Sequence, residues 1–107
     1  MRTVPQSGEA WFIDLGIVGK PRYALVLAAQ TDARLALASV VLITTQFEDT
    51  PYEVTLPRVP WLREQSYINA QSIQPVKFTE FIRKAPGKFD RRVIGDVEAA
   101  LKRWLKL

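Results

Sequence analysis

Two polar segments stand where apolar runs of the chain begin and end, and both carry groups that bind oxyanions. Arg22 comes directly before an apolar run that begins Tyr23-Ala24-Leu25-Val26-Leu27, and Thr44-Thr45-Gln46 comes directly after the apolar run that ends at Ile43. A guanidinium donates two parallel hydrogen bonds to an oxyanion, and a hydroxyl donates one. If the two runs are neighbouring strands, their ends bring a cation and a hydroxyl close enough to hold a phosphodiester.

A simpler explanation accounts for the same residues. An arginine at the start of a strand often forms a surface ion pair, and threonines are favoured in strands for their shape alone. Motifs this short arise by chance more often than through function. On spacing alone, the simpler explanation is therefore favoured.

The residues that the chain lacks restrict its chemistry further. It contains no His and no Cys, which excludes histidine proton transfer, cysteine nucleophiles and thiolate metal sites. The segment from Gly16 to Lys20 is too short for a nucleotide-binding P-loop, and Pro21 follows where that motif has Ser or Thr. Glu48 and Asp49 have no partner ligands at metal-binding spacing. We therefore predict neither a cofactor nor a metal.

Length and composition indicate one small soluble domain. The chain has 107 residues, of which 48% are hydrophobic and 24% charged, values typical of a globular protein. No stretch approaches the roughly 20 apolar residues of a membrane span, and residues 1–8 do not resemble a secretory signal. These features predict a cytoplasmic protein with a single domain over residues 1–107, in which residues 1–7 form an N-terminal extension.

The net charge of +4 is concentrated in the second half of the chain. Residues 1–57 hold four Lys/Arg and six Asp/Glu, a net charge of −2, while residues 58–107 hold eleven and five, a net charge of +6. A basic half is typical of proteins that bind RNA, DNA or an acidic protein, although scattered cations also serve as a solvated surface. Charge alone does not choose among these partners.

Apolar runs bounded by glycine, proline and polar segments predict five strands, with room for a sixth. The five cover residues 8–15, 23–29, 35–43, 52–56 and 66–73. Pro75 is expected to end the last of them, because proline cannot donate to a strand ladder. A short helical turn is expected over residues 78–81. This order favours a mainly β fold of antiparallel strands, bent strongly into a small barrel that limits free edges.

A C-terminal helix is the clearest predicted element, and it makes the fold a small α+β one. Asp90 is expected to cap the helix, and apolar residues recur at helical spacing from Val93 to Trp104. Trp104 is therefore expected in the buried face. Gly95 weakens a helix by about 1 kcal/mol relative to Ala, and we expect it to mark a close contact.

Three segments and the final helix occur in an order and spacing similar to one known family. They are residues 8–16 (GEAWFIDLG), 19–27 (GKPRYALVL), 40–46 (VVLITTQ) and 93–107. Together they resemble the MazF/PemK family of toxins from type II toxin–antitoxin systems. Two positions depart from the family pattern. Tyr23 stands where relatives carry proline after the arginine, and residues 70–74 (AQSIQ) replace an acidic residue, glutamine, an aliphatic residue and a basic one.

The resemblance implies an SH3-like barrel that forms a homodimer and cleaves single-stranded RNA at short sequences without a metal. It implies that Arg22 and Thr44 are catalytic, and that Lys20, Thr45 and Gln46 bind RNA. A mobile loop over residues 16–21 would border the RNA groove. The products would be a 2′,3′-cyclic phosphate and a free 5′-hydroxyl, and a cognate antitoxin with an acidic, disordered segment would cover the groove.

The missing histidine is consistent with this chemistry, because RNA supplies its own nucleophile in the 2′-hydroxyl. Two functions of another class remain as alternatives. One is a relative that binds RNA or an antitoxin without cleaving RNA. The other is a gyrase poison similar to CcdB, which acts through its C-terminal end.

Overall fold

Seven strands and a C-terminal helix make up the regular structure of the described residues. The computed structural model describes residues 4–16, 19–32 and 34–107. Its strands are β1 (Ala10–Ile13), β2 (Arg22–Gln30), β3 (Leu37–Thr44), β4 (Glu53–Thr55), β5 (Tyr67–Asn69), β6 (Gln74–Lys77) and β7 (Phe81–Lys84), and its helix is α1 (Arg91–Leu105). Short 3-10 turns at Ala70–Ser72 and Phe78–Glu80 precede β6 and β7.

All the strand pairs are antiparallel, and β3 lies at the centre. The sheet runs in the order β4, β5, β3, β2, β1, β7, and β6 lies beside the first half of β3. Irregular pairing near Phe12 in β1 and near Ala28 in β2 bends the sheet. The predicted mainly β fold with a C-terminal helix is confirmed. Within the described ranges β4 and β7 remain the outer strands, so hydrogen bonds do not close the bent sheet into a barrel.

Both faces of the central strands are buried, and each face has its own apolar cluster. One cluster contains Leu25 and Val41 and continues onto α1 through Val93, Val97 and Ala100. The other contains Val26 and Val40 and is covered from the far side by Val76 and Phe78. Neighbouring residues of one strand point to opposite faces. The long apolar runs of β2 and β3 therefore fill two cores at once.

The segment from Ser66 to Lys77 differs from the prediction. The single strand expected over residues 66–73 is only three residues long as β5, and Pro75 lies inside β6 instead of ending a strand. Pro75 is opposite Ser39, and β6 pairs with β3 alone among the described strands. A strand with one partner tolerates proline because the missing N–H falls on its unpaired side.

Ser72 connects the two strands that share the outer edge of β3. Its hydroxyl oxygen accepts a hydrogen bond from Leu42 N at 2.8 Å and donates to Asn69 O at 2.7 Å. Leu42 lies on β3 between the part paired with β6 and the part paired with β5. In this chain, Ser72 therefore satisfies a backbone donor that the sheet leaves free.

The helix begins as predicted but ends differently. Asp90 caps it by accepting a hydrogen bond from Val93 N at 3.0 Å. Trp104, expected in the buried face, is 38% exposed and meets the ring of Tyr52 edge-on. Tyr52 precedes β4 at the margin of the sheet, so the last helical turn reaches past the core. No described helix has the length and apolarity that crossing a membrane requires.

A buried carboxylate fixes the first strand to its surroundings. Glu9 is 7% exposed and accepts hydrogen bonds from Trp11 Nε1 at 3.0 Å and from Gln6 N at 2.9 Å. Lys84 Nζ of β7 lies 3.5 Å from its other oxygen. Burial raises the pKa of the Glu9 carboxyl, but these hydrogen bonds and the Lys84 charge outweigh that effect and hold the pKa below its ordinary value of 4.5.

Acid should therefore weaken the fold through Glu9. A depressed folded pKa contributes stability that is present above about pH 4.5 and is lost as pH falls through the lower folded value. We expect Glu9→Gln to lower the free energy of unfolding at pH 7 by about 1 kcal/mol and to flatten its decline below pH 4.5. Urea unfolding at pH 7 and at pH 4 measures both effects. Glu98→Gln, an exposed change on α1, is the matched control, and equal pH profiles for the two variants would contradict the assignment.

Gly95 does not mark a close contact, contrary to the prediction. It is exposed on α1, and a Cβ placed there meets no atom within 4 Å.

Gly95→Ala should accordingly stabilise the protein by about 1 kcal/mol, because it removes backbone freedom from the unfolded chain without a clash. Calorimetry should show the Tm rising by about 4 °C. The reverse change at the exposed neighbour, Ala99→Gly, should lower the Tm by a similar amount. A decrease on Gly95→Ala would show that the position is constrained.

Candidate RNA-binding site

Strand pairing places Arg22 beside Thr44. In the β2–β3 pair, Ala24 lies opposite Leu42 and Leu25 opposite Val41. Continuing this register by two residues puts Arg22, the first residue of β2, opposite Thr44, the last residue of β3. Residues directly opposite in an antiparallel pair point to the same face. The two residues that the sequence singles out therefore lie on one face at the same end of the sheet.

All five of the predicted site residues line one cleft. The cleft has a volume of about 510 Å³ and is bordered by Lys20, Pro21, Arg22, Ile43, Thr44, Thr45 and Gln46. Lys20, Thr45 and Gln46 are exposed, whereas Arg22 and Thr44 are half-buried. Of the loop predicted to be mobile, Ile17 and Val18 lie outside the described residues.

A second cleft of about 520 Å³ continues the first across Arg22 and Thr44. It is lined in addition by Phe12, Tyr23, Trp61, Leu62, Arg63, Glu64, Ser66 and Arg83. We call the two clefts together the Arg22 groove. Its described lining carries four cations, Lys20, Arg22, Arg63 and Arg83, against the single carboxylate of Glu64. The groove therefore attracts a polyanion that is long enough to follow it.

Arg22 has a hydrogen-bond donor without a partner. Its Nε is buried and makes no hydrogen bond within the described residues. Arg22 also forms no ion pair with any described residue, whereas Lys84 pairs with Glu9. The surface ion pair that offered a simpler explanation for Arg22 is thus not found there. A buried donor without a partner is costly, and an incoming acceptor such as a phosphoryl oxygen relieves that cost.

The Thr44 hydroxyl is oriented by the backbone that follows it. Thr44 Oγ1 accepts a hydrogen bond from Gln46 N at 3.1 Å. A hydroxyl that accepts in this way keeps its own proton free to donate. Thr44 can therefore donate to an oxyanion in the groove.

Tyr23, which departs from the family pattern, supports the groove wall. Its ring meets Phe12 and Trp61 edge-on, with centroids 5.1 and 4.9 Å away. The Arg83 guanidinium lies 4.2 Å above the Phe12 ring centroid. Successive residues of a strand alternate in direction, so Tyr23 leaves β2 on the face opposite to Arg22. The Tyr23 ring therefore packs against Phe12, on which Arg83 lies, and it does not take the place of the Arg22 side chain.

The sequence did not single out several groove residues. Arg63 and Arg83 reach the groove from the basic half of the chain, far from Arg22 in sequence. The charge imbalance was a signal for them, but it did not distinguish them from the other cations of that half. No group of three or more Asp or Glu side chains in the described part of the chain lies close enough to hold a metal ion.

Comparisons with known proteins give one family and one fold. A family profile described as PemK-like, MazF-like toxin of type II toxin–antitoxin system matches residues 6–105. A search of curated proteins gave no match.

Solved structures share the fold across nearly the whole chain. An endoribonuclease from a mycobacterial species, in complex with its cognate antitoxin, superposes with a TM-score of 0.78 at 23% identity, covering 96% of each chain. The toxin MazF-mt6 of Mycobacterium tuberculosis gives 0.77 at 20% identity, covering 92% of this chain and 97% of that one. MazF from Deinococcus radiodurans gives 0.76 at 20% identity, covering 99% and 100%.

Proposed function

Because the chain belongs to the PemK-like, MazF-like toxin family of type II toxin–antitoxin systems, we propose that it is an endoribonuclease that cleaves single-stranded RNA without a metal. One observation carries the proposal. Arg22, whose buried Nε has no partner among the described residues, and Thr44, with its free hydroxyl proton, line the same cationic groove. Structural neighbours known as endoribonucleases support the same activity.

The reaction that suits these groups uses the nucleophile of the RNA itself. The 2′-hydroxyl oxygen bonds to the adjacent phosphorus while the bond from phosphorus to the 5′-oxygen breaks. The 2′ proton passes to solvent, and the 5′-oxygen takes up a proton. The products are a 2′,3′-cyclic phosphate and a free 5′-hydroxyl, and the protein must align the attack and stabilise charge on the phosphoryl oxygens.

Each proposed site residue has a distinct task in this scheme. Arg22 donates to the phosphoryl oxygens and stabilises the developing charge, and Thr44 holds a second oxygen. A guanidinium stays protonated and is a poor base, so we assign no residue as general base. Lys20, Thr45 and Gln46 are exposed along the same cleft and contact the flanking RNA.

Loss of the Arg22 side chain should abolish most of the cleavage. We expect purified protein to cut a mixed single-stranded RNA equally well with and without a chelator. Arg22→Ala should reduce the rate by about 10²- to 10³-fold, because it removes a preorganised donor to the transition state. Sequencing of the cleavage ends, with a test for cyclic phosphate, measures site and product together.

Matched variants separate chemistry from folding. Arg34→Ala removes an exposed cation before β3, at the end of that strand remote from Thr44, and should leave the rate unchanged. Thr44→Ser keeps the hydroxyl and should retain more activity than Thr44→Val. Wild-type protein that cuts no RNA, or Arg22→Ala protein that cuts as fast as wild type, would refute the proposal. Binding without cleavage would instead identify an inactive RNA-binding relative.

Assembly and partners follow from the same family. Three structural neighbours from Deinococcus radiodurans are complexes of MazE with MazF, and a mycobacterial neighbour is bound to its cognate antitoxin. We propose that this chain forms a homodimer in the cytoplasm, where its RNA substrate is found, and that an acidic antitoxin segment covers the groove. The cations that attract RNA also attract such a segment.

A further inference from the structure

An exposed aromatic pair stands directly beside the Arg22 groove. Phe47 follows Gln46 and is 50% exposed. Its ring is stacked on Tyr67, with ring centroids 4.8 Å apart and an angle of 28° between the planes. One face of Phe47 is therefore supported by Tyr67, while half of the side chain remains open to solvent.

The pair lies on the same face of the sheet as the reactive groups. Tyr67 of β5 is the register partner of Thr44, and directly opposite residues share a face. Tyr67, Thr44 and Arg22 thus form a row across β5, β3 and β2. Adjacent strands are about 4.8 Å apart. The stacked pair stands one strand beyond Thr44, on the side away from Arg22.

The backbone on both sides of Phe47 is held in place. Before it, Gln46 N donates to the Thr44 hydroxyl at 3.1 Å. After it, Glu48 N donates to Glu53 Oε2 at 2.7 Å. Thr50 N and Thr50 Oγ1 also donate to the Glu53 carboxylate, at 2.7 and 2.9 Å.

These bonds keep the anchoring carboxylate charged. The hydrogen bond from Glu48 N, together with those from Thr50, holds the pKa of the Glu53 carboxyl below its ordinary value and outweighs the opposing effect of burial. An ionised Glu53 is the stronger acceptor. Phe47 is therefore presented on a preformed loop before any ligand arrives.

Charge decides which part of a nucleotide approaches Phe47. The exposed carboxylates of Glu48 and Asp49 follow it immediately, and they repel phosphate. The groove cations on the other side of Thr44 attract phosphate. An RNA strand whose phosphate sits between Arg22 and Thr44 therefore directs a base, and not its backbone, towards Phe47.

We propose that Phe47, backed by Tyr67, is a stacking platform for the unpaired base of a nucleotide next to the scissile phosphate. The inference rests on the proposed ribonuclease function and adds a base subsite to it. Every base has a π-face, so stacking on an aromatic ring contributes affinity and positioning while tolerating different bases. Phe47 is thus a positioning residue, and it does not by itself select the RNA sequence.

The test pairs two Phe47 variants with altered RNA. The probe is a short single-stranded RNA around a mapped cleavage site, with a 2′-deoxy sugar at that site so that it binds without being cut. A series of the same probe carries an abasic nucleotide at each position flanking the scissile phosphate. Binding is measured by fluorescence anisotropy for wild type, Phe47→Leu, Phe47→Trp and the control Leu35→Ala, which alters an exposed apolar residue before β3.

Phe47→Leu should weaken binding of the intact probe by about 10- to 100-fold, the range expected for one base stacked on one ring. Phe47→Trp and Leu35→Ala should bind like wild type. At one flanking position, the abasic probe should weaken wild type by a similar factor while costing Phe47→Leu nothing further. A change that only loosened the loop would not remove the dependence on that single base.

Two results overturn the inference while leaving the proposed function intact. In one, wild type binds and cuts RNA but Phe47→Leu binds as tightly. In the other, the abasic and Phe47→Leu losses multiply at every flanking position. Wild-type protein that neither binds nor cuts single-stranded RNA refutes the proposed function, and the subsite with it.

Discussion

The antiparallel pairing of β2 with β3 is the constraint on which the rest of the molecule depends. Its register pairs Ala24 with Leu42, two residues before the strands reach Arg22 and Thr44, and these two residues border one cleft. A shift of one residue would turn one of the two side chains to the opposite face. The same register puts Leu25 beside Val41 and Val26 beside Val40, so both cores resist such a shift.

Burial on both faces explains where polar chemistry is possible. Within β2 and β3, side chains at the middle positions fill one apolar cluster or the other. Polar groups fit only where the strands leave these clusters, and the groove lies at such an end. The covering elements follow from the same demand, since α1 packs over one face while β6 and the turn at Phe78–Glu80 pack over the other. The need to bury both faces of β2 and β3 thus accounts for the bent sheet and for the position of the site at its end.

In the groove, two hydrogen-bond donors have no protein acceptor among the described residues, and they form no ion pair there. Arg22 Nε has no described partner, and the Thr44 hydroxyl accepts a bond from Gln46 N that leaves its proton free. By contrast, the carboxylates of Glu9 and Glu53 are each held by several donors. Outside the groove, these two carboxylates hold the backbone in place by accepting hydrogen bonds from its N–H groups. Inside the groove, donors are left for a ligand, which is the arrangement that electrostatic catalysis on a phosphodiester requires.

Local patterns in the sequence were sufficient for much of the fold. The apolar runs of β2 and β3, the Asp90 cap and the helical spacing of Val93 and Val97 each depend on nearby residues, and the structure has them as expected. The candidate residues Arg22 and Thr44 were also visible, because they end long apolar runs. Glu9 was less visible, since nothing local shows that Trp11, Gln6 and Lys84 surround it.

Other features depend on contacts between segments that are distant in sequence, and only the tertiary structure decided these. Pro75 fits inside β6 because that strand has one partner, and Trp104 is exposed because α1 outruns the core. Pairing of β3 with β5 brings Tyr67 beside Thr44 and gives Phe47 its support. The sequence by itself determined which side chains could hold a phosphate. Only the fold placed them within one groove, because long-range packing sets both the strand register and the position of Arg63 and Arg83 beside Arg22.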